Sequence, residues 1–199
     1  MLRTLPCPRN LSWGALCLGI LAPLASLAQD GPSPADVRLA FDGSVVIVQG
    51  KRLPLPAEQA DFVRLLGKPD REAALANTIA TWDRLGILTY RAPNTTKVFN
   101  VVVCFGAEKF KFWPQRAFSG SFQLDGVPVT VSTPIADVNR ERKGAALEFD
   151  RILQRWRYAS GKHFVHWFDR EEKVNGRGQV RLISLSMEVP KAPGKSIDN

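Results

Sequence analysis

The chain has 199 residues, 45% of them hydrophobic, and 27 Lys and Arg against 19 Asp and Glu give a formal net charge of +8. That hydrophobic share excludes a disordered chain, and three cysteines are too few for a disulfide-stapled scaffold. The basic excess is moderate and spread along the sequence. It suits an acidic partner or an anionic membrane surface and is no nucleic-acid signature by itself.

The first 28 residues contain Arg3 and Arg9 and no acidic residue. An apolar run follows from Leu11 to Leu27, and Ser26-Leu27-Ala28 puts small residues at the positions a signal peptidase reads. This layout predicts an exported bacterial-type precursor, cleaved after Ala28 and released into the periplasm. Pro23 and the polar residues beyond Ala28 argue against a permanent span, which needs about 20 apolar residues. Leu16 before Cys17, where a small residue is required, argues against a lipoprotein. Cleavage leaves 171 residues with a net charge of +6, the size of one domain. Cys7 and Cys17 depart with the signal, so Cys104 has no partner within the mature chain. No later segment is apolar enough to cross a bilayer, so the mature chain is expected to be soluble.

Residues 29–36 read as a linker, 37–190 as a single α+β domain, and 191–199 as a polar tail. Val37, Leu39 and Phe41 alternate, Asp42-Gly43 is a turn signal and Val45–Val48 is β-branched, which predicts a strand pair. Gly50–Pro56 leads into a helix with Pro56 at its first position, Phe62, Val63, Leu65 and Leu66 on its apolar side and Gly67 as its cap. Asn77–Trp82 and Ile87–Tyr90 flank a loop ending in Gly86 and predict a hairpin. Val98–Phe105 is apolar throughout, as a central strand buried on both faces would be, and Cys104 within it reads as a small buried hydrophobe. Residues 106–117 form a loop. Asp125-Gly126 between alternating runs predicts another hairpin, with Pro128 confining its second strand to an edge or a bulge.

Phe149, Ile152, Leu153 and Trp156 recur at i, i+3, i+4 and i+7, the stripe of a second helix. Lys162–Asp169, a turn at Asn175–Gly178 and Val180–Val189 close the chain. In the last strand Ile183, Leu185, Met187 and Val189 face one way and Ser184, Ser186 and Glu188 the other. The fold class is α+β, a mostly antiparallel sheet covered by two helices, with two helix-plus-strands halves as a possible organisation.

Little in the chain suggests chemistry. His163 and His166 sit three apart on an expected strand and point to opposite faces, so they cannot grip one metal ion together. Ser119-Gly120-Ser121 lacks a nucleophile-elbow frame, and Asn175-Gly176-Arg177-Gly178 lacks the Lys-Ser/Thr pair of a phosphate loop. No catalytic residue, cofactor site or metal site is assigned. The loop Lys109–Arg116 interleaves cations with aromatics and is the expected partner surface, with Trp113 as the apolar anchor and Lys109, Lys111 and Arg116 around it.

The blocks Leu65-Leu66-Gly67-Lys68-Pro69-Asp70-Arg71, Asn77-Thr78-Ile79 and Trp82-Asp83-Arg84-Leu85-Gly86-Ile87 resemble a small proteobacterial domain family of unknown function. Phe118-Ser119-Gly120 and Leu124-Asp125-Gly126 continue the likeness. Members of that family resemble small proteins found beside secreted antibacterial toxins. The resemblance implies a periplasmic immunity or inhibitor protein that neutralises a toxin, such as a type VI secretion effector, by occlusion and without catalysis. The order helix, Leu-Gly-x-Pro, three strands also resembles small outer-membrane assembly lipoproteins and β-lactamase-inhibitor proteins, which are binders. It implies the alternative of an envelope scaffold or outer-membrane assembly accessory, although no lipobox cysteine stands at the cleavage site.

Overall fold

The computed structural model describes residues 31–174 and 177–190. The expected signal segment, Gln29 and Asp30 of the linker, Asn175 and Gly176 of the last turn, and the tail lie outside the described residues.

Alternation of Leu39 and Phe41 with polar neighbours forms β1 (Arg38–Asp42), which turns through Gly43 into β2 (Val45–Val48). Leu39 lies opposite Val48 and Phe41 opposite Val46, so these four side chains share one buried face. A third strand, β3 (Lys51–Pro54), extends the pair and buries Leu53 where the sequence suggested only a connection.

The first helix begins later than expected. Ala57 and Glu58 form β4 (Ala57–Glu58) against Val98 and Lys97, so Pro56 is not the first helical residue and α1 runs Gln59–Leu66. Phe62 and Leu66, four apart, are its buried residues. Gly67 at φ 83° ends it and returns its N–H to the Val63 carbonyl at 2.9 Å.

Strands β5 (Arg71–Ala74), β6 (Thr78–Trp82), β7 (Ile87–Arg91) and β8 (Lys97–Cys104) then form an antiparallel meander. The Asp125-Gly126 hairpin joins β9 (Ser121–Leu124) to β10 (Val127–Val129), and Pro128 sits on an edge strand as expected.

The second helix lies elsewhere than the sequence suggested. Residues 149–156 are not helical: β11 (Glu148–Asp150) and β12 (Arg155–Ser160) pair around a four-residue turn, with Phe149 opposite Trp156. Seven residues separate two positions on one helical stripe, and equally two facing positions across such a turn. The helix is instead α2 (Ile135–Glu141), whose single buried residue, Val138, leaves no apolar stripe to read. The chain closes with β13 (His163–Val174) and β14 (Arg177–Glu188), which run past their apolar cores as a ribbon of polar residues.

The fold is α+β and mostly antiparallel. One sheet has the order β10-β9-β1-β2-β3, with β1 and β9 parallel. The other has the order β11-β12-β13-β14-β8-β7-β6-β5, with β4 also against β8. Because β9 joins β1 and β14 joins β8, each sheet unites a block of earlier strands with a block of later ones. Both sheets and both helices contribute to one core. A lateral row of Trp82, Ile87, Val103, Leu185, Trp167, Trp156 and Phe149 crosses six strand pairings on the core face of the larger sheet. It is fully buried at Trp82 and emerges into solvent at Phe149.

Candidate functional site

Arg71 on β5 and Asp83 just after β6 form the main ion pair of the meander. Arg71 Nε and Nη2 each donate to an Asp83 oxygen at 2.6 Å. The same guanidinium donates from Nη1 to the Lys111 carbonyl at 3.0 Å and from Nη2 to the Trp113 carbonyl at 2.9 Å. Asp83 in turn accepts the Gln115 N–H through Oδ1 and the Arg116 N–H through its carbonyl, both at 3.0 Å. Thr81 Oγ1 donates to the Phe112 carbonyl at 3.1 Å. A guanidinium can serve both a carboxylate and two carbonyls because its donors lie in one rigid plane. The loop 106–117 is thereby fastened to the sheet along its backbone.

Of the four residues expected to bind a partner, the structure brings three to the surface of this loop. Lys109, Lys111 and Arg116 are exposed, together with Phe110 at 38%. Trp113 is half-buried: its ring lies on Leu88, Val102 and Cys104, on the sheet face away from the main core, and Nε1 donates to the Gly106 carbonyl at 2.8 Å. Beside the loop an open cleft of ≈ 570 Å³ is lined by Asp70, Arg71, Asp83, Arg84, Gln115 and Arg116 among others.

The sequence blocks around this site carry the fold. Trp82 Nε1 donates to the Gly67 carbonyl at 2.8 Å, tying the helix cap to β6, and the Asp70 N–H donates to the Thr81 carbonyl at 2.9 Å. Arg84 Nη1 reaches the Pro32 carbonyl at 3.2 Å. Gly86 has φ 71°, and a Cβ there would lie 2.2 Å from the Phe118 nitrogen. At Gly120 a Cβ would lie 2.1 Å from the Val37 carbonyl oxygen, where β9 meets β1.

A family model for a domain of unknown function, DUF7738, matches residues 38–139, 102 of the 199 residues. The chain belongs to the DUF7738 family. Neither a curated protein nor a solved structure matches it. The DUF7738 segment runs from β1 into α2, so it holds the Arg71–Asp83 pair and the whole of the loop it fastens.

One further polar cluster was not foreseen. Asp125, in the hairpin turn at φ 47°, accepts Arg142 Nε at 2.8 Å, the Tyr158 hydroxyl at 2.7 Å and the Gly43 N–H at 2.8 Å. Arg142, its side chain 2% exposed, also stacks over the Tyr158 ring at 3.8 Å. Burial and the Asp125 hydrogen bond raise the Tyr158 hydroxyl above the ordinary tyrosine range. The cluster joins the DUF7738 segment to the strands that follow it. The sequence signal was Asp125 alone, read as a turn residue; nothing local points to an arginine 17 positions away.

The histidines occupy opposite faces of β13, as their spacing predicts. His163 Nε2 donates to the Leu55 carbonyl at 3.2 Å, and the buried His166 donates through Nε2 to Glu188 Oε1 at 3.0 Å. That hydrogen bond holds the Glu188 carboxyl below its usual range. Cys104 is fully buried, and burial pushes its thiol well up. Among the described residues no group of three or more His, Cys, Asp or Glu could hold a metal ion, and no helix is long and apolar enough to cross a membrane.

Proposed function

We propose that this protein is an exported, non-catalytic binding protein of the periplasm that neutralises a partner by occluding it, as an immunity protein does a toxin. The observation that carries this reading is the fastened loop. Its backbone is held by Arg71, Asp83 and Thr81 and its Trp113 by the sheet, while Lys109, Phe110, Lys111 and Arg116 face outward. A recognition surface pre-ordered in this way avoids the ordering entropy that binding otherwise costs. Its cations suit an acidic target, and electrostatic steering speeds such an encounter at low salt. In this reading Trp113 anchors the loop from beneath and Phe110 supplies aromatic contact. The toxin as partner comes from the likeness to proteins encoded beside secreted effectors.

Deleting the gene is expected to leave cells sensitive to a toxin encoded nearby and delivered to the periplasm. The purified protein should bind that toxin, and reversing the charges of Lys109, Lys111 and Arg116 should weaken binding by at least tenfold with an unchanged melting temperature. A deletion strain that competes normally, together with no binding by any neighbouring gene product, would end the proposal. Altered permeability in monoculture would favour the envelope-scaffold alternative.

A further inference from the structure

Ile152, 92% exposed, is the most exposed large apolar side chain among the described residues, and Phe149 and Leu153 of the same hairpin are 45% and 40% exposed. The turn that presents them is well bonded. Asp150 Oδ1 accepts the N–H of Ile152 at 2.9 Å and of Leu153 at 3.0 Å, and its Oδ2 pairs with Arg157 Nε at 2.9 Å. Arg155 Nε donates to the Leu153 carbonyl at 3.2 Å. Holding apolar side chains in water is unfavourable, and a turn that fixes them there presents them to something.

We propose that this hairpin tip docks on an anionic lipid bilayer, with Ile152, Leu153 and Phe149 entering the headgroup–acyl boundary and Arg151 and Arg155 meeting the lipid phosphates. Size favours a bilayer over a protein. The tip offers three apolar side chains on the outermost strand pair of the larger sheet, whereas a stable protein interface needs about 800 Å² from each side. A few inserted side chains suffice at a membrane surface, because apolar transfer and cation attraction add together. Charge favours it too. The hairpin carries three arginines, Arg151, Arg155 and Arg157, against Glu148 and Asp150. Asp150 is held by the turn and by Arg157 and lies opposite Arg155, which leaves a net positive charge with Arg151 exposed at the turn. Trp156, edge-on to Phe149 with ring centroids 5.2 Å apart, stands behind the tip. An open cleft of ≈ 470 Å³ along the hairpin is lined by Glu148 and Asp150 as well as by Arg151, Arg157 and Phe164. None of this depends on the immunity reading.

The test uses the chain from Gln29 onward, which contains every described strand and helix and lacks the apolar run Leu11–Leu27. It is mixed with vesicles of phosphatidylcholine alone and with vesicles containing phosphatidylglycerol. The protein is expected to sediment with the phosphatidylglycerol vesicles only, and less so as salt is raised. Ile152→Ser should lower partitioning by about tenfold and Arg151→Ser by about fivefold, with the melting temperature unchanged. Because Cys104 is buried, a polarity-sensitive dye on the thiol introduced by Ile152→Cys should shift to the blue on those vesicles. Failure to sediment with phosphatidylglycerol, or sedimentation of Ile152→Ser equal to that of the parent, would overturn the proposal. So would self-association in solution that Ile152→Ser abolishes, which would assign the tip to a second copy of the chain. Toxin binding that survives any of these outcomes leaves the proposed function standing.

Discussion

Gly86 shows how one absent side chain sets a strand connection. Its φ of 71° belongs to the left-handed region, and the space a Cβ would take is occupied by the backbone of Phe118. Gly50 has a similar φ of 79° with nothing within 4 Å of a Cβ. The two therefore separate backbone strain from collision. Gly50→Ala is expected to cost about 1 kcal/mol, the strain alone. Gly86→Ala should cost about 3 kcal/mol or more, because the Phe118 segment must move and its N–H bond to the Cys104 carbonyl must lengthen. Urea unfolding of both variants checks this, and equal losses would show that the close approach of Phe118 contributes nothing. The need for a positive φ was legible at Gly86 from the loop between two β-prone runs. The collision was not, since Phe118 is 32 residues further along the chain.

The loop 106–117 shows the same limit for an element. The sequence marked it as a loop rich in aromatics and cations, but the arginine that fastens it belongs to β5, about 40 residues earlier. Arg71→Ala should lower stability by about 2–4 kcal/mol, because the Asp83 carboxylate, only 10% exposed, loses its counter-charge. Arg71→Lys should rescue little of this, since an ammonium cannot reach a carboxylate and two carbonyls in one plane. Amide exchange in both variants should quicken across residues 109–117 more than in β13 and β14. Uniform quickening would mean that the pair stabilises the whole sheet and does not fasten the loop. The hairpin β11–β12 gives a second lesson at this scale. Its apolar spacing fits a helix and a hairpin equally, and pairing of Trp156 with Trp167 on β13 selects the strand.

For the whole molecule, the family segment and the folding unit differ in extent. The matched residues end in α2, yet β14 lies beside β8 in the larger sheet and Arg142 supplies the buried counter-charge to Asp125. A fragment ending at residue 139 would leave β8 with an unpaired edge beside Val101 and Val103 and Asp125 without its guanidinium. Such a fragment is expected to be unfolded or aggregated by circular dichroism and gel filtration, while residues 29–199 unfold in one transition. A cooperatively folded fragment would make the C-terminal strands an appendage.

The sequence by itself determined the α+β class, the Asp42-Gly43 and Asp125-Gly126 hairpins, the cap at Gly67 and the interior place of Cys104. Each follows from alternation, turn chemistry or local backbone geometry, which act over a few residues. Only the tertiary structure decided that residues 149–156 form a hairpin, that the helix stands at Ile135–Glu141, and that β9 runs parallel to β1. It also decided that Arg71 meets Asp83 and that Arg142 meets Asp125 and Tyr158. These depend on which distant surfaces come together to bury apolar area and neutralise charge, and that choice is made by the whole chain at once.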